Sequence, residues 1–300
     1  MTGRHRVRLY PSCVPGYQLP FFAADVFARH GLDLEILDPL PPPWTANSVR
    51  VATGEADFAV TSVTCFLLAR SAARREFPAR FVAVLHQRSP LGAVVAEDSG
   101  VAEPADLAGQ RLGRTHSAGW MADEARHVVA DHGMGPPVVV PVDPGQGPAA
   151  LDRGDIDMMP AYLDALRGAA SPGDGVRTVP LGGDTYASGL IANDRIPGDV
   201  VVRMRHALTD AFEAQRDDPD ARVDDLCERF PGVHPHRARA VWEHLVPYVF
   251  TGRPVGGMSH RRWADTLSWA RRVHGLGQLD PADVYRPELE GAGGWIPSAR

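Results

Sequence analysis

The stretch Val7–Leu37, VRLYPSCVPGYQLPFFAADVFARHGLDLEIL, decides the predicted fold. Its first four residues alternate as a short strand does, and prolines and a glycine then predict a loop. Apolar residues recur at helical spacing over 19–29, Gly31 suits the position after a helix end, and the last six residues alternate again. We expect a βαβ unit, whose ligands bind at the carboxyl ends of its strands. Ser12 and Cys13 fall on the loop at that end.

Composition restricts the class of protein. The 300 residues are 44% hydrophobic with a net charge of -6, and no basic cluster predicts nucleic-acid binding. No apolar run has the length that membrane insertion needs. The first ten residues contain no apolar stretch of the kind found in export signals, and the 3 cysteines are widely spaced. We therefore expect a cytoplasmic protein.

All 31 basic residues counted as lysine or arginine are arginine. Without lysine, the chain offers no side chain for a Schiff base with pyridoxal phosphate and no P-loop lysine. The histidines and cysteines show no metal-ligand spacing of the HExxH or CxxC type. We therefore expect neither a cofactor nor a metal.

Polar and aromatic residues follow the predicted strand ends, where they would face a cleft. Trp44 ends a proline-rich segment and equally suits a cover for the core edge. Hydroxyls before the helix at 65–73 suit an anionic ligand or simple capping of the helix. His116 precedes another predicted helix and suits either acid–base chemistry or a solvent-exposed position. The candidates for the cleft wall are Cys13, Trp44, Ser62, Thr64, Arg88, His116, Ser117, Tyr162 and Tyr186.

A repeated pattern indicates two similar lobes. ATGEADFAV at 52–60 and LDRGDIDMMP at 151–160 both read as a short helix, a glycine, acidic residues and a strand. From Asp199 onward the chain carries apolar stripes at helical spacing. We expect one lobe to comprise residues 1–92 and 190–300, with the C-terminal helices, and the other to comprise residues 93–189.

These segments, together with DSGVAEPADLAGQRLGRTHSAGW at 98–120, resemble the type II periplasmic-binding-protein fold. Within that fold the sequence resembles the SsuA/THI5-like family of sulfonate, nitrate and thiamine-pyrimidine proteins, over about residues 5–280. The resemblance implies an α/β fold of two lobes with a helical C-terminal region. It also implies two crossing strands and closure on a small ligand by hinge motion.

Members of this family differ in chemistry. The thiamine-pyrimidine synthases use a lysine-bound pyridoxal phosphate and a cysteine-rich iron segment, and this chain has neither. The aryl sulfinate desulfinase of the family places a nucleophilic cysteine in the loop after the first strand, in a Ser-x-Cys-x-x-Pro context. Here the matching place holds Pro11-Ser12-Cys13-Val14-Pro15.

The same resemblance maps the arginine and glycine of that desulfinase onto Arg50 and Gly54, with a shift of one residue. No histidine lies between His30 and His86, so the chain departs from the desulfinase pattern there. GVAEPADLAGQRLG also resembles a passage of the dihydroxyphthalate decarboxylases, which implies carboxylated aromatic ligands.

Two functions follow from these observations. The first is an intracellular enzyme that cleaves a C–S or C–C bond of a small anionic substrate, either aromatic or aliphatic. Cys13 would be the nucleophile and His116 a catalytic partner. In that reading Trp44, Arg50 and the other candidates bind the substrate. The alternative is a solute-binding protein of an ABC importer, which binds without catalysis and has a permease as its partner.

Overall fold

The computed structural model describes residues 4–73, 76–116, 118–143, 145–163 and 175–290. Two mixed five-stranded sheets form the framework of the described chain. In chain order the strands are β1 His5–Tyr10, β2 Leu32–Ile36, β3 Phe58–Ser62, β4 Ala79–His86, β5 Leu91–Ala96, β6 Arg111–Thr115, β7 Val138–Val142, β8 Met158–Tyr162, β9 Val176–Pro180 and β10 Ser188–Asn193. The two-lobed α/β fold predicted from the sequence is confirmed.

The two sheets have the same construction. The first has the order β2-β1-β3-β10-β4 and the second the order β7-β6-β8-β5-β9. In each, three parallel strands are followed by an antiparallel strand, which is β10 in the first sheet and β5 in the second. The chain leaves the first sheet after His86 and returns to it at Ser188. Two crossover segments, 87–90 and 181–187, therefore connect the lobes.

The repeated sequence pattern has one structural role in both lobes. The Asp57 carboxylate accepts a hydrogen bond from the Arg8 backbone N–H at 2.7 Å, and the Asp157 carboxylate accepts one from the Arg111 backbone N–H at 2.7 Å. Each aspartate thus fixes the start of a strand to its parallel neighbour, which is β1 in the first sheet and β6 in the second. The glycine of each copy has positive φ, which a residue without Cβ adopts without strain.

Helices cover the sheets and form the C-terminal region. They are α1 Ala24–Arg29, α2 Ala46–Ala52, α3 Val63–Ala72, α4 Gly119–Val129, α5 Gly147–Asp152, α6 Gly198–Asp217, α7 Val223–Arg229, α8 Pro235–Val249, α9 His260–His274 and α10 Pro281–Val284. Within the described residues, no helix combines the length and apolar character needed to cross a membrane.

The helix predicted over 19–29 begins differently. A 3₁₀ helix covers Pro15–Phe22, and the α-helix is shorter than predicted because it starts at Ala24. Pro20 explains the difference, since its ring nitrogen donates no hydrogen bond and its ring clashes with an α-helical carbonyl four residues earlier.

The C-terminal helices pack on the first sheet. Trp242 of α8 and Trp263 of α9 are fully buried. Their rings lie 5.6 Å from Phe212 and 5.0 Å from Phe81, measured between ring centroids. Burial of such large rings stabilises the attachment of these helices through the hydrophobic effect. The helices therefore belong to the first lobe, where they hold residues close to the cleft.

Candidate functional site

A cavity of about 390 Å³ lies between the two lobes. The first lobe contributes the loop after β1, the segment from Leu40 to the start of α2, the end of β3 and Ser188. The second lobe contributes the first turn of α4 and the end of β8, and α8 adds Arg237. The walls are mainly apolar with a few convergent polar groups, as in pockets for small organic ligands.

The loop after β1 is fixed in place by its own hydrogen bonds. The Ser12 hydroxyl accepts from the Val14 backbone N–H at 3.1 Å, and the Gln18 side chain donates to the Ser12 carbonyl at 2.5 Å. Asn47 of α2 donates to the carbonyls of Pro11 at 3.2 Å and Val60 at 2.9 Å. These bonds hold Cys13 at the cavity, where the residue is exposed to solvent although the surrounding atoms partly desolvate its sulfur.

Both cysteines of the cavity favour the protonated thiol. Desolvation raises the pKa of Cys13 above its ordinary value and outweighs the hydrogen bonds from its own backbone and from Ser12, which lower it. Burial raises the pKa of Cys65 to about 12. A nucleophilic cysteine requires the opposite shift, because the thiolate is the reactive form.

Positive electrostatic groups meet at the cavity from three elements. The first turns of α3 and α4 face it from opposite lobes, and helix N-termini attract anions through free N–H groups and the macrodipole. The Ser62 hydroxyl caps α3 by accepting from the Cys65 backbone N–H at 3.0 Å, while α4 has no side-chain cap at Ala118. Arg237 adds a full charge and makes no ion pair with a carboxylate of the described chain.

Aromatic rings form much of the apolar wall. Trp44, Tyr17, Trp120 and Tyr162 line the cavity. The rings of Trp120 and Tyr162 meet edge to face with centroids 5.7 Å apart. Such rings offer rigid apolar surfaces to a ligand at little cost in conformational entropy.

A buried histidine supports the cavity from behind. His86, 1% exposed, hydrogen-bonds through Nδ1 to the hydroxyl of Ser188, which lines the cavity. The Tyr17 ring contacts the His86 ring edge to face at 5.0 Å. His86 therefore positions two wall residues. Within the described residues, no cluster of His, Cys, Asp and Glu side chains suits a metal ion.

The structure brings four of the predicted residues together at this cavity. They are Cys13, Trp44, Ser62 and Tyr162. Ser62 and Tyr162 are the last residues of β3 and β8, Cys13 lies in the loop after β1, and Trp44 ends the proline-rich segment. Ser117, the fifth candidate near these elements, lies outside the described residues.

Two predicted substrate-binding residues have other partners. Thr64, two residues after the N-cap Ser62, is 6% exposed, and its hydroxyl donates to the buried Glu124 carboxylate at 2.6 Å. Arg50 lies on the exposed side of α2, where its guanidinium bonds to Glu55. Neither side chain lines the cavity.

Three further candidates lie elsewhere. Arg88 and His116 are exposed and are not part of the cavity wall. Tyr186 is 4% exposed and accepts at its hydroxyl from the Ser259 backbone N–H at 3.1 Å. Tyr186 belongs to the crossover segment 181–187, which precedes β10, and it lines a different cavity.

Several wall residues were not predicted from the sequence, namely Tyr17, Asn47, Trp120, Ser188 and Arg237. Trp120 follows a predicted strand and loop, so its position offered the same signal as that of His116. Arg237 gave no local signal: it lies on α8, more than 200 residues after Cys13, and only tertiary packing brings it to the cleft.

The fold and cavity define a two-lobed protein of the periplasmic-binding type, with a cavity of small-molecule size between its lobes. The chain belongs to the NMT1/THI5-like family, whose model matches residues 21–222. A comparison with curated protein sequences gives no significant match.

Solved structures share this fold at low sequence identity. The periplasmic aliphatic sulphonate-binding protein SsuA from Escherichia coli superposes with a TM-score of 0.74 at 15% identity, over 94% of this chain and 92% of that one. The alkanesulfonate-binding protein SsuA from Xanthomonas axonopodis pv. citri, bound to MOPS, gives 0.66 at 15% identity over 95% and 99%. The DszB enzyme in complex with biphenyl-2-sulfinic acid gives 0.63 at 20% identity over 97% and 99%.

Proposed function

We propose that this chain is a solute-binding protein whose cleft holds one small organic anion without covalent chemistry. The ligand has an apolar, ring-sized body and one sulfonate, sulfinate or carboxylate group. The partner in this function is the permease of an ABC importer. The observation that carries the proposal is the combination of aromatic walls with Arg237 and two helix N-termini at one cavity.

The arrangement suits an anion of this kind. The guanidinium of Arg237 offers several N–H donors, and it binds a planar or tetrahedral oxyanion through charge-assisted hydrogen bonds. The N-terminus of α4 adds backbone donors from the second lobe. The rings of Trp44 and Trp120 offer apolar surface for the rest of the molecule.

The chemistry of Cys13 supports binding rather than turnover. Its thiol has a raised pKa, and His86, which is buried, already bonds to Ser188. The sulphonate-binding protein SsuA from Escherichia coli superposes better than DszB does, with a TM-score of 0.74 against 0.63. Both points favour a receptor that releases its ligand unchanged.

The experiment is a calorimetric titration with an aryl sulfonate, an aryl sulfinate, an aryl carboxylate and the uncharged parent arene. We expect saturable binding of an anion and none of the arene. Arg237→Ala is expected to weaken binding by about tenfold or more, the value of one charge-assisted contact. Arg239→Ala is the matched control, since Arg239 lies on the same helix and pairs with Asp220 and Glu243.

Equal affinity in wild type and Arg237→Ala, or equal loss in both variants, would contradict the assignment of the anion to Arg237. Tight binding of the neutral arene would contradict the anionic ligand class. A test of the permease as partner is whether ligand uptake into vesicles containing a candidate permease requires this protein.

A second candidate function is a C–S-cleaving enzyme with Cys13 as nucleophile. The observation in its favour is that Ser12 and Cys13 face the cleft from the loop after β1, the place at which the desulfinase resemblance puts its nucleophile. In this function water and an aryl sulfinate yield the arene and sulfite. The test is sulfite release from biphenyl-2-sulfinate by wild type and its absence in Cys13→Ser.

A further inference from the structure

A second and larger cavity, of about 760 Å³, lies on the first lobe away from the cleft. Its walls come from the two crossover segments, represented by Gln87 and Tyr186, and from the N-terminal part of α9 and the segment before it. Nothing in the function proposed above uses this cavity. Several polar and charged side chains nevertheless converge on it from different elements.

Four arginines line this second cavity, namely Arg205, Arg253, Arg261 and Arg262. Two carboxylates, Asp184 and Asp265, line it as well, so four positive charges less two negative charges leave an excess of two. None of the four guanidinium groups forms an ion pair with a carboxylate of the described chain. Other arginines do form such pairs, as Arg239 does with Asp220.

Arg205 is the most deeply buried of these four arginines. It is only 7% exposed, and its guanidinium donates to the Leu289 carbonyl at 3.0 Å. A carbonyl satisfies one N–H but does not neutralise the charge. Because a buried charge without a counter-ion is costly, such a guanidinium is a strong site for an anion.

The N-terminus of α9 adds to the same field. This helix begins at His260 and has 15 residues, so its positive end lies beside Arg261 and Arg262. Ser259 lines the cavity and caps the helix, accepting from the Arg262 backbone N–H at 3.5 Å. The His260 backbone N–H is occupied by the Glu290 carboxylate at 2.7 Å, so the Ser259 hydroxyl is the group from this helix end that supplements the arginines.

Arg262 connects this cavity to both crossover segments. Its guanidinium donates to the Gln87 side-chain oxygen at 2.9 Å, to the Gln87 carbonyl and to the Asp184 carbonyl at 2.7 Å. It also stacks over the Tyr186 ring at 4.3 Å. The crossovers are the chain segments about which the lobes would move.

We propose that this cavity binds a compact multivalent oxyanion, of the phosphate or polycarboxylate type, at the hinge between the lobes. Arg205 and Arg262 form the fixed part of the site. Arg253 and Arg261, which are exposed, close on the anion from the outer side. The site is separate from the cleft and holds its anion whether or not the cleft is occupied.

The test is a calorimetric titration of the full chain, without cleft ligand, using pyrophosphate, inorganic phosphate and citrate in separate arms. We expect at least one of these probes to bind with a dissociation constant of ~10 mM or below. The double variant Arg253→Ala/Arg261→Ala should weaken that binding by about tenfold or more, because it removes two charge-assisted contacts while leaving the buried arginines in place. Arg271→Ala, at the far end of α9, is the matched control and should bind as wild type does.

Absence of binding of all three probes, or equal affinity in wild type and the double variant, would overturn the proposal. Loss of binding in Arg237→Ala would also overturn it, since the anion would then lie in the cleft. Retention of binding in Arg237→Ala, together with loss in the double variant, supports the hinge site. The cleft titrations above use different ligands, so their failure is distinguishable from failure here.

Discussion

At the scale of single residues, Cys13 separates the two candidate functions. It lies in the cleft beside Ser12, in the context that resembles a desulfinase nucleophile. Its surroundings nevertheless desolvate the sulfur more than hydrogen bonds stabilise a thiolate, so its pKa is raised. Position therefore favours chemistry at Cys13, and electrostatics disfavours it.

The pH dependence of alkylation tests this balance. With a raised pKa, Cys13 is a thiol at neutral pH, and its iodoacetamide reaction should reach half its maximal rate above the free value of about 8.5. Cys65, whose pKa is raised to about 12, should react more slowly still. Peptide mass spectrometry distinguishes the two cysteines. A Cys13 profile centred below the free value would support the enzyme.

The wall residues that the sequence predicted lie mainly at the ends of strands. Side-chain chemistry alone did not identify wall residues. Cys13, Ser62 and Tyr162 are wall residues because they lie at or just after the carboxyl ends of strands that meet at the cleft. Arg88 also follows a strand, yet it lies at a crossover that leads away from the cavity. Arg237 was unpredictable, since the docking of α8 depends on tertiary packing that no local pattern encodes.

At the scale of elements, the 3₁₀ helix Pro15–Phe22 and α8 determine the geometry of the cleft together. The loop after β1 leads into the first, and Arg237 stands on the second. They are in contact at Gly16, where a Cβ would lie 2.6 Å from the Ala238 carbonyl oxygen and 2.6 Å from the Val241 Cβ. Backbone atoms of a packed helix give way little, so only glycine fits there.

Gly16→Ala is therefore expected to lower the free energy of unfolding by about 1–3 kcal/mol, the usual cost of overpacking. It should also weaken ligand binding, because it separates Cys13 from Arg237. Denaturant unfolding and calorimetry measure the two effects. Gly232→Ala is the control, since its Cβ meets no atom within 4 Å. Equal stability of both variants would contradict this account of the contact.

The elements that the sequence predicted best are those with a local cause. The repeated glycine and aspartate pattern predicted one structural unit twice, and the Asp57 and Asp157 carboxylates do have matching roles. The helix expected over 19–29 was wrong at its start, because apolar spacing is similar in a 3₁₀ turn and an α-helix over so few residues. At this start, the backbone restriction imposed by Pro20 outweighed the apolar spacing.

At the scale of the whole molecule, a buried contact joins the two lobes and the C-terminal helices. Glu124 of α4 accepts from Thr64 of α3 at 2.6 Å and lies 3.4 Å from His274 at the end of α9. Its side chain is 3% exposed. Burial raises the pKa of Glu124 above its ordinary value of 4.5, although His274 and Thr64 lower it and Asp123 raises it further.

This shift predicts how stability depends on pH. The stabilising contribution of Glu124 is complete below pH 4.5, its ordinary pKa, and is lost as pH rises through its pKa in the folded protein. The stability of Glu124→Gln relative to wild type should therefore increase from acid to neutral pH, by about 1.4 kcal/mol per unit of pKa difference. Denaturant unfolding across this range measures the change, and a constant difference would contradict it.

Glu290→Gln provides a control of opposite sign. A hydrogen bond from the His260 backbone N–H lowers the pKa of Glu290 below 4.5, and the Tyr285 hydroxyl adds to this effect. A lowered pKa contributes stability above 4.5 that is lost as pH falls through the folded value. The deficit of this variant should therefore be greatest at neutral pH and shrink in acid.

In the proposed function, the cleft binds a small organic anion and releases it unchanged. The most direct measurement is equimolar incubation of the protein with biphenyl-2-sulfinate, followed by quantification of bound ligand, recovered sulfinate and free sulfite. We expect saturable binding that Arg237→Ala weakens, full recovery of the sulfinate and no sulfite. Sulfite release that disappears in Cys13→Ser would contradict it and identify the protein as an enzyme.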